Sequence, residues 1–230
     1  MRIAQLLFTQ GFGSRRECAG LLRAGQVAIG GVVRTEGDDE IEPEGLRFHV
    51  RGEPWLYRER ALLVMNKPSH FECSQKPRHH PGVYSLLPLP LRRRGVQAIG
   101  RLDEDTTGVL LFTDDGALIH RLTSPKHHAA KVYEVQCRHP VTAAQVEQLR
   151  AGVLLHDEPV TVRAAACEAT GPEALRLTLT EGKYHQVKRM IAAAGNRVEA
   201  LHRSDFAGVR VDDLAAGGWR WLTDDESRFG

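Results

Sequence analysis

The chain has 230 residues, 42% of them apolar, and a formal net charge of +2, enough for one large domain or for a small domain joined to a larger one. No apolar run approaches the length of a membrane span, and "MRIAQLLFTQGFG" returns to polar residues too soon for a signal peptide. Cys18, Cys73, Cys137 and Cys167 are scattered, with no C-x-x-C pair, which argues against a disulfide framework or a structural zinc site and for a cytoplasmic protein.

Charge is segregated along the chain. Residues 1–34 carry Arg2, Arg15, Arg16, Arg23 and Arg34 against Glu17 alone, and residues 36–44 carry six acids and no base. From Arg58 to Arg101 there are nine bases against Glu59 and Glu72, including the run Arg92, Arg93 and Arg94. Separation of this kind suits basic faces that meet a polyanion, with solvated surface charge as the alternative.

In "SRRECAGLLRAG", Ser14 and Glu17 have the spacing of a capping box, Leu21 and Leu22 give the helix an inner side, and Gly25 stands where a left-handed cap ends it. "VAIGGVV" then reads as a hairpin turning on Gly30-Gly31, and "TEGDDEIEPEG" as a loop. The order is helix, helix, hairpin. "SRRECAGLLRAGQVAIGGVV" resembles an S4 (α-L-like) RNA-binding domain. The resemblance implies that Arg15, Arg16 and Arg23 meet RNA phosphates, contacts that set affinity and orientation rather than sequence choice.

"RGEPWLYRERA" (51–61) is the expected linker, which places a first domain at 1–55 and a second at 56–230. Beyond it, "ALLVMNKP", "QAIGRLD", "VLLFTD", "KVYEVQC" and "ALRLTLT" read as strands. "VTAAQVEQLRAG" is a helix capped by Thr142 with Gln145 and ended by Gly152, and "KYHQVKRMIAAAG" is a second helix, with Tyr184 and Lys188 on one face. Strands without a regular βαβ rhythm predict an α+β domain built on a largely antiparallel sheet with flanking helices.

Four stretches carry charged or aromatic residues that the strand and helix patterns do not need: "MNKP", "GRLDEDTTG", "KVYEV" and "EGKYHQVKRM". In this order, behind an S4-like segment, they resemble the pseudouridine synthases, and within them the S4-bearing branch that acts on small-subunit ribosomal RNA. The resemblance implies cleavage of a uridine's C1′–N1 bond, rotation of the uracil and rejoining through C5, with no cofactor and no metal. It makes Asp103 the catalytic carboxylate, presented at the end of an apolar strand; attack on a sugar carbon and removal of the C2′ proton are both open. A carboxylate in a site that excludes water needs a neighbouring cation to hold its charged form, and the resemblance gives that place to Lys188. It puts Tyr133 against the uracil and Leu179 beneath it. Arg101 would hold the displaced backbone of a flipped nucleotide, with Lys67 and Arg189 as further phosphate contacts. The implied partner is 16S ribosomal RNA, free or in a partly assembled small subunit, modified at position 516 by a monomer.

Other features read more plainly. His79-His80 and His127-His128 are adjacent pairs, a poor spacing for one metal ion, and Asp105, Asp114 and Asp115 read as turn and cap residues. Where relatives have lysine-proline-x-glycine, this chain has Lys67-Pro68-Ser69-His70. Two rival readings are a glycoside hydrolase using Asp103 and Asp105 as a carboxylate pair and a non-catalytic RNA-binding factor. An aromatic content of 6% weighs against the first, and the presence of Asp103, Tyr133 and Lys188 against the second.

Overall fold

The computed structural model describes residues 1–156 and 158–229. Its first helix, α1 (Ile3–Thr9), buries Ile3, Leu6 and Leu7, which share one helical face. The second, α2 (Arg15–Arg23), begins with the expected capping box: Glu17 N–H donates to Ser14 Oγ at 3.3 Å, and Ser14 N–H donates to Glu17 Oε2 at 2.7 Å. Cys18, Leu21 and Leu22 form its inner face and Gly25 is left-handed at φ +63. The hairpin of β1 (Val27–Ile29) and β2 (Val32–Arg34) turns on Gly30 and Gly31, both with positive φ, as a two-residue turn matched to strand twist requires. Two further strands, β3 (Arg47–Val50) and β4 (Glu53–Leu56), complete a sheet of order β2-β1-β3-β4. Thus the stretch expected as a linker contributes a strand: Trp55 of β4 and Phe48 of β3 both pack edge-on against Phe12, with ring centroids 5.3 and 5.8 Å away.

Chain contacts divide the molecule into two compact units, Met1–Ala61 with Leu87–Gln97, and Leu62–Leu86 with Ala98–Gly230. The returning segment of the first unit contains α3 (Leu89–Arg93) and buries Leu91. Arg94 fastens it by donating to Gln10 Oε1 (3.1 Å) and to the carbonyls of Arg58 (2.8 Å) and Glu59 (2.9 Å).

The second unit is built on β5 (Leu62–Lys67), β6 (Gln97–Ala98), β7 (Thr107–Thr113), β8 (Lys131–Cys137), β9 (Ala166–Gly171), β10 (Ala174–Leu179), β11 (Val198–Phe206) and β12 (Trp219–Trp221). The sheet runs β12-β5-β7-β11-β8-β10-β9, with the short β6 beside β7. Its described ladders are antiparallel except β7–β11, which is parallel through the pairs Thr107–His202 and Gly108–Arg203. Residues 109–112 of β7 are buried on both faces, as a central strand requires. At Gly108 φ is +103 and any Cβ would collide with the Arg203 carbonyl, so glycine is what allows the parallel pairing.

The helices of this unit are α4 (Gly116–Thr123), α5 (Ala143–Ala151) and α6 (Gln186–Ala193). Asp115 caps α4 as expected, and α5 has its Thr142–Gln145 capping box and its Gly152 stop. Two expectations are corrected. "QAIGRLD" is a strand only over Gln97–Ala98, because Gly100 turns left-handed at φ +74, and Asp103 stands in a loop. Helix α6 starts at Gln186, after a left-handed His185 (φ 47), so Tyr184 lies outside the helix that carries Lys188. Among the described residues, no helix is long and apolar enough to cross a membrane.

Candidate active site

Asp103 belongs to the turn between β6 and β7, and that turn is stapled from beneath. Lys67, at the end of β5, is fully buried and donates through Nζ to the carbonyls of Pro68 (3.0 Å), Glu104 (3.0 Å) and Thr106 (2.8 Å). An ammonium has three N–H donors, and here all three are used inside the protein, which is what makes its burial tolerable. Burial lowers the Lys67 ammonium pKa, against the opposing pull of acidic groups around it. The expected phosphate contact is therefore replaced by a structural role. Thr106 N–H to the Asp103 carbonyl (3.2 Å) and His70 N–H to the Glu104 carbonyl (2.7 Å) tighten the same turn.

Helix α6 supplies the cation. Lys188 Nζ lies 3.2 Å from Asp103 Oδ2 and donates to both oxygens of Asp105, at 2.7 and 2.8 Å. Burial alone would lower the Lys188 ammonium, but the Asp105 hydrogen bond and the charges of Asp103 and Asp105 outweigh it and leave the pKa raised. Burial would likewise raise Asp105, and Lys188 overcomes that, so the Asp105 carboxyl lies below its ordinary range. Asp105 is a partner of the lysine rather than a plain turn residue.

On the other side of the aspartate, His185 Nε2 is 3.3 Å from Asp103 Oδ1. The His185 ring stacks on Tyr184 with centroids 3.8 Å apart, and the Tyr184 side chain stands 72% exposed. The turn that delivers both is fixed by Gln186, whose side chain accepts from Lys183 N–H (2.8 Å) and donates to Glu181 (3.0 Å).

These groups open onto a cleft of about 820 Å³ within the second unit, lined also by Arg101, Tyr133 and Leu179. That volume suits a nucleotide-sized group, ligand pockets being roughly 300–1,000 Å³. Tyr133 and Leu179 are buried on neighbouring strands β8 and β10, while Arg101 is exposed at the rim. Arg189 is not among the lining residues, and its Nη1 donates to the Tyr184 carbonyl at 2.9 Å. Arg15, Arg16 and Arg23 are exposed on α2 in the other unit, with Arg15 over the Phe8 ring at 4.9 Å.

Among the lining residues that sequence reasoning passed over are His185, Arg203 and Lys131. His185 was hidden by being counted into the helix. Arg203 is 2% exposed, donates through Nε to the Val109 carbonyl at 2.8 Å and lies over Phe206 at 4.8 Å. Lys131 donates to the Ala129 carbonyl at 2.8 Å, and burial together with the Arg203 charge lowers its pKa to about 8. Basic residues on otherwise apolar strands were the available signal for the last two.

A lysine facing the carboxylates of Asp103 and Asp105 at the wall of a nucleotide-sized cleft, carried on an antiparallel-dominated sheet, is the setting for which the comparisons with known proteins supply a class. The chain belongs to the RNA pseudouridylate synthase family, whose description matches residues 61–193, and the S4 domain matches residues 1–45. It is 41% identical over 228 residues to ribosomal small subunit pseudouridine synthase A of Yersinia pestis, covering 98% of this chain and 96% of that protein. Identity to the protein of that name in Escherichia coli K12 is 39% over 229 residues, covering 98% of each. A crystal structure of a pseudouridylate synthase aligns with TM-score 0.69 and 35% identity, covering 98% of this chain and 97% of that one. The protein is thus an RNA pseudouridine synthase, an isomerase.

Proposed function

We propose that this isomerase converts one uridine of 16S ribosomal RNA, position 516 of the bacterial molecule, to pseudouridine, acting as a cytoplasmic monomer on free RNA or on a partly assembled small subunit. The observation that carries the reading is Asp103 held between Lys188 and His185 at the wall of a nucleotide-sized cleft. The near full-length likeness to proteins named for the small ribosomal subunit supports the choice of RNA.

In this reading the target nucleotide leaves its stack and enters the cleft, with Arg101 at the rim taking the displaced backbone. Leu179 packs under the uracil and Tyr133 stands against it. The Asp103 carboxylate acts on the sugar while the C1′–N1 bond breaks and its electron pair leaves with N1, and Lys188 Nζ stands 3.2 Å from that carboxylate as its charge partner. Once the base has turned, C5 bonds to C1′, a base takes the C5 proton, and N1 takes up a proton in its place, so the product is an isomer of the uridine. Arg15, Arg16 and Arg23 of the S4 domain hold phosphates away from the reacting base. The test is incubation of the purified full chain with unmodified 16S RNA and with 23S RNA, followed by site mapping of pseudouridine. Product at one 16S position is expected; product only in 23S RNA, or at many positions, would overturn the substrate assignment.

A further inference from the structure

The acidic turn carries a third carboxylate, Glu104, with surroundings unlike those of Asp103. Its Oε2 is shielded from solvent and accepts no hydrogen bond among the described residues. Two imidazole nitrogens face that oxygen, His70 Nδ1 at 3.5 Å and His80 Nε2 at 3.7 Å, and the three ligand atoms lie within 4.8 Å of one another. A tetrahedral zinc ion with bonds near 2.0–2.1 Å would place its ligand atoms about 3.3 Å apart. Closing onto an ion therefore asks for small side-chain adjustments only.

The backbone places both histidines, and their rings lie with centroids 5.7 Å apart. His70 is left-handed at φ 63, a conformation that favours glycine, and its N–H is committed to the Glu104 carbonyl at 2.7 Å. His80 sits on a loop gathered around one carboxylate: Glu72 accepts from the backbone N–H groups of Arg78 (3.0 Å), His79 (2.7 Å) and His80 (2.9 Å). Glu72 N–H to the Pro81 carbonyl and Val83 N–H to the Glu72 carbonyl, both 2.9 Å, close the base of the loop. The adjacent pair His79-His80 is unsuited to one ion, but the fold takes one member of it and matches it with a histidine ten residues earlier.

We propose that His70, His80 and Glu104 form a binding site for a divalent transition-metal cation of the zinc class, coordinated through Nδ1, Nε2 and Oε2. Two imidazoles and one carboxylate select borderline cations over magnesium or calcium, which prefer all-oxygen sets. His80 and Glu104 also line the Asp103 cleft, so a fourth coordination position there is open to water or to a phosphate oxygen.

The test uses the full chain, stripped with chelator and titrated at neutral pH with zinc sulfate by calorimetry and with cobalt(II) by visible absorption. One tight equivalent is expected, with cobalt bands of a four-coordinate site and no competition from millimolar magnesium. His70→Gly and His80→Gln should each weaken binding by at least about 10-fold, the scale seen when metal-site geometry is disturbed. His70→Gly relieves the left-handed backbone, so its fold is secure and loss of binding reports loss of a ligand. His79→Gln should leave the affinity unchanged. Absence of a tight equivalent overturns the proposal, and so does affinity that survives both His70→Gly and His80→Gln; in either case the cluster is a pair of imidazoles packed against the Glu104 carboxylate.

Discussion

At the scale of single residues, the site depends on one lysine serving two carboxylates and on another serving none. In the proposed reading, Asp103→Asn keeps shape but removes the carboxylate that acts on the sugar, so single-turnover pseudouridine formation should fall by about 10²–10⁴-fold with RNA affinity retained. Lys188→Met should lower the rate less, because the carboxylate remains. Asp105→Asn should cost about 10-fold or less, since Lys188 keeps Asp103 but loses its closest partner, 2.7 Å away. Appreciable turnover in Asp103→Asn would sink the assignment. Lys67→Met separates a structural lysine from a phosphate contact. The variant should melt at a lower temperature, because three carbonyls of the turn lose their donor. Its RNA affinity should keep the same salt dependence, whereas a lost phosphate contact would reduce the slope by roughly 0.7–0.9.

At the scale of elements, the Glu72 loop gives a pH signature. Backbone hydrogen bonds from His79, His80 and Arg78 hold the Glu72 carboxyl down to about 2, against an ordinary value of 4.5. A carboxyl depressed by folding stabilises fully above its unfolded pKa, and that contribution is lost as pH falls through the folded one. The amide resonances of Arg78 to His80 should therefore hold their shifts through pH 4.5 and move only in a step centred near pH 2, and in Glu72→Gln this step should vanish. A midpoint near 4.5 would show that the loop is not gathered on this carboxylate. Elements announced by local chemistry were legible in the sequence: both capping boxes, the Gly30-Gly31 hairpin, and strands β5, β7, β8 and β10 with their apolar runs. What the sequence did not give away was set by distant partners. The strand expected to carry Asp103 is cut short by Gly100, and the turn's support comes from Lys67, whose backbone pairs across β5–β7. Helix α6 loses its expected first turn to a left-handed His185, a conformation no periodicity reports. Asp103, Tyr133, Leu179, Arg101 and Lys188 were legible only through the family resemblance, and their convergence on one cleft comes from the fold.

At the scale of the whole molecule, RNA binding through the S4 domain is best tested without cutting the chain. Removing residues 1–55 would strip Leu87–Gln97 of its partners, since Arg94 is anchored on Gln10. Replacing Arg15, Arg16 and Arg23 with glutamine leaves every element in place. Affinity should fall and the salt slope should flatten by about 2, as expected for three phosphates, while turnover at saturating enzyme is kept. An unchanged slope would remove these arginines from the interface. The division of the chain also bears on how it is made. Because the first unit includes Leu87–Gln97, that unit is not complete until Gln97 has been made, and strand β5 is by then already exposed. Its neighbour β7 follows at Thr107–Thr113, but its other neighbour β12 comes only at Trp219–Trp221. While the residues between β7 and β12 are made, then, the hydrogen-bonding edge of β5 that later pairs with β12 is open, the kind of edge on which nascent chains mispair.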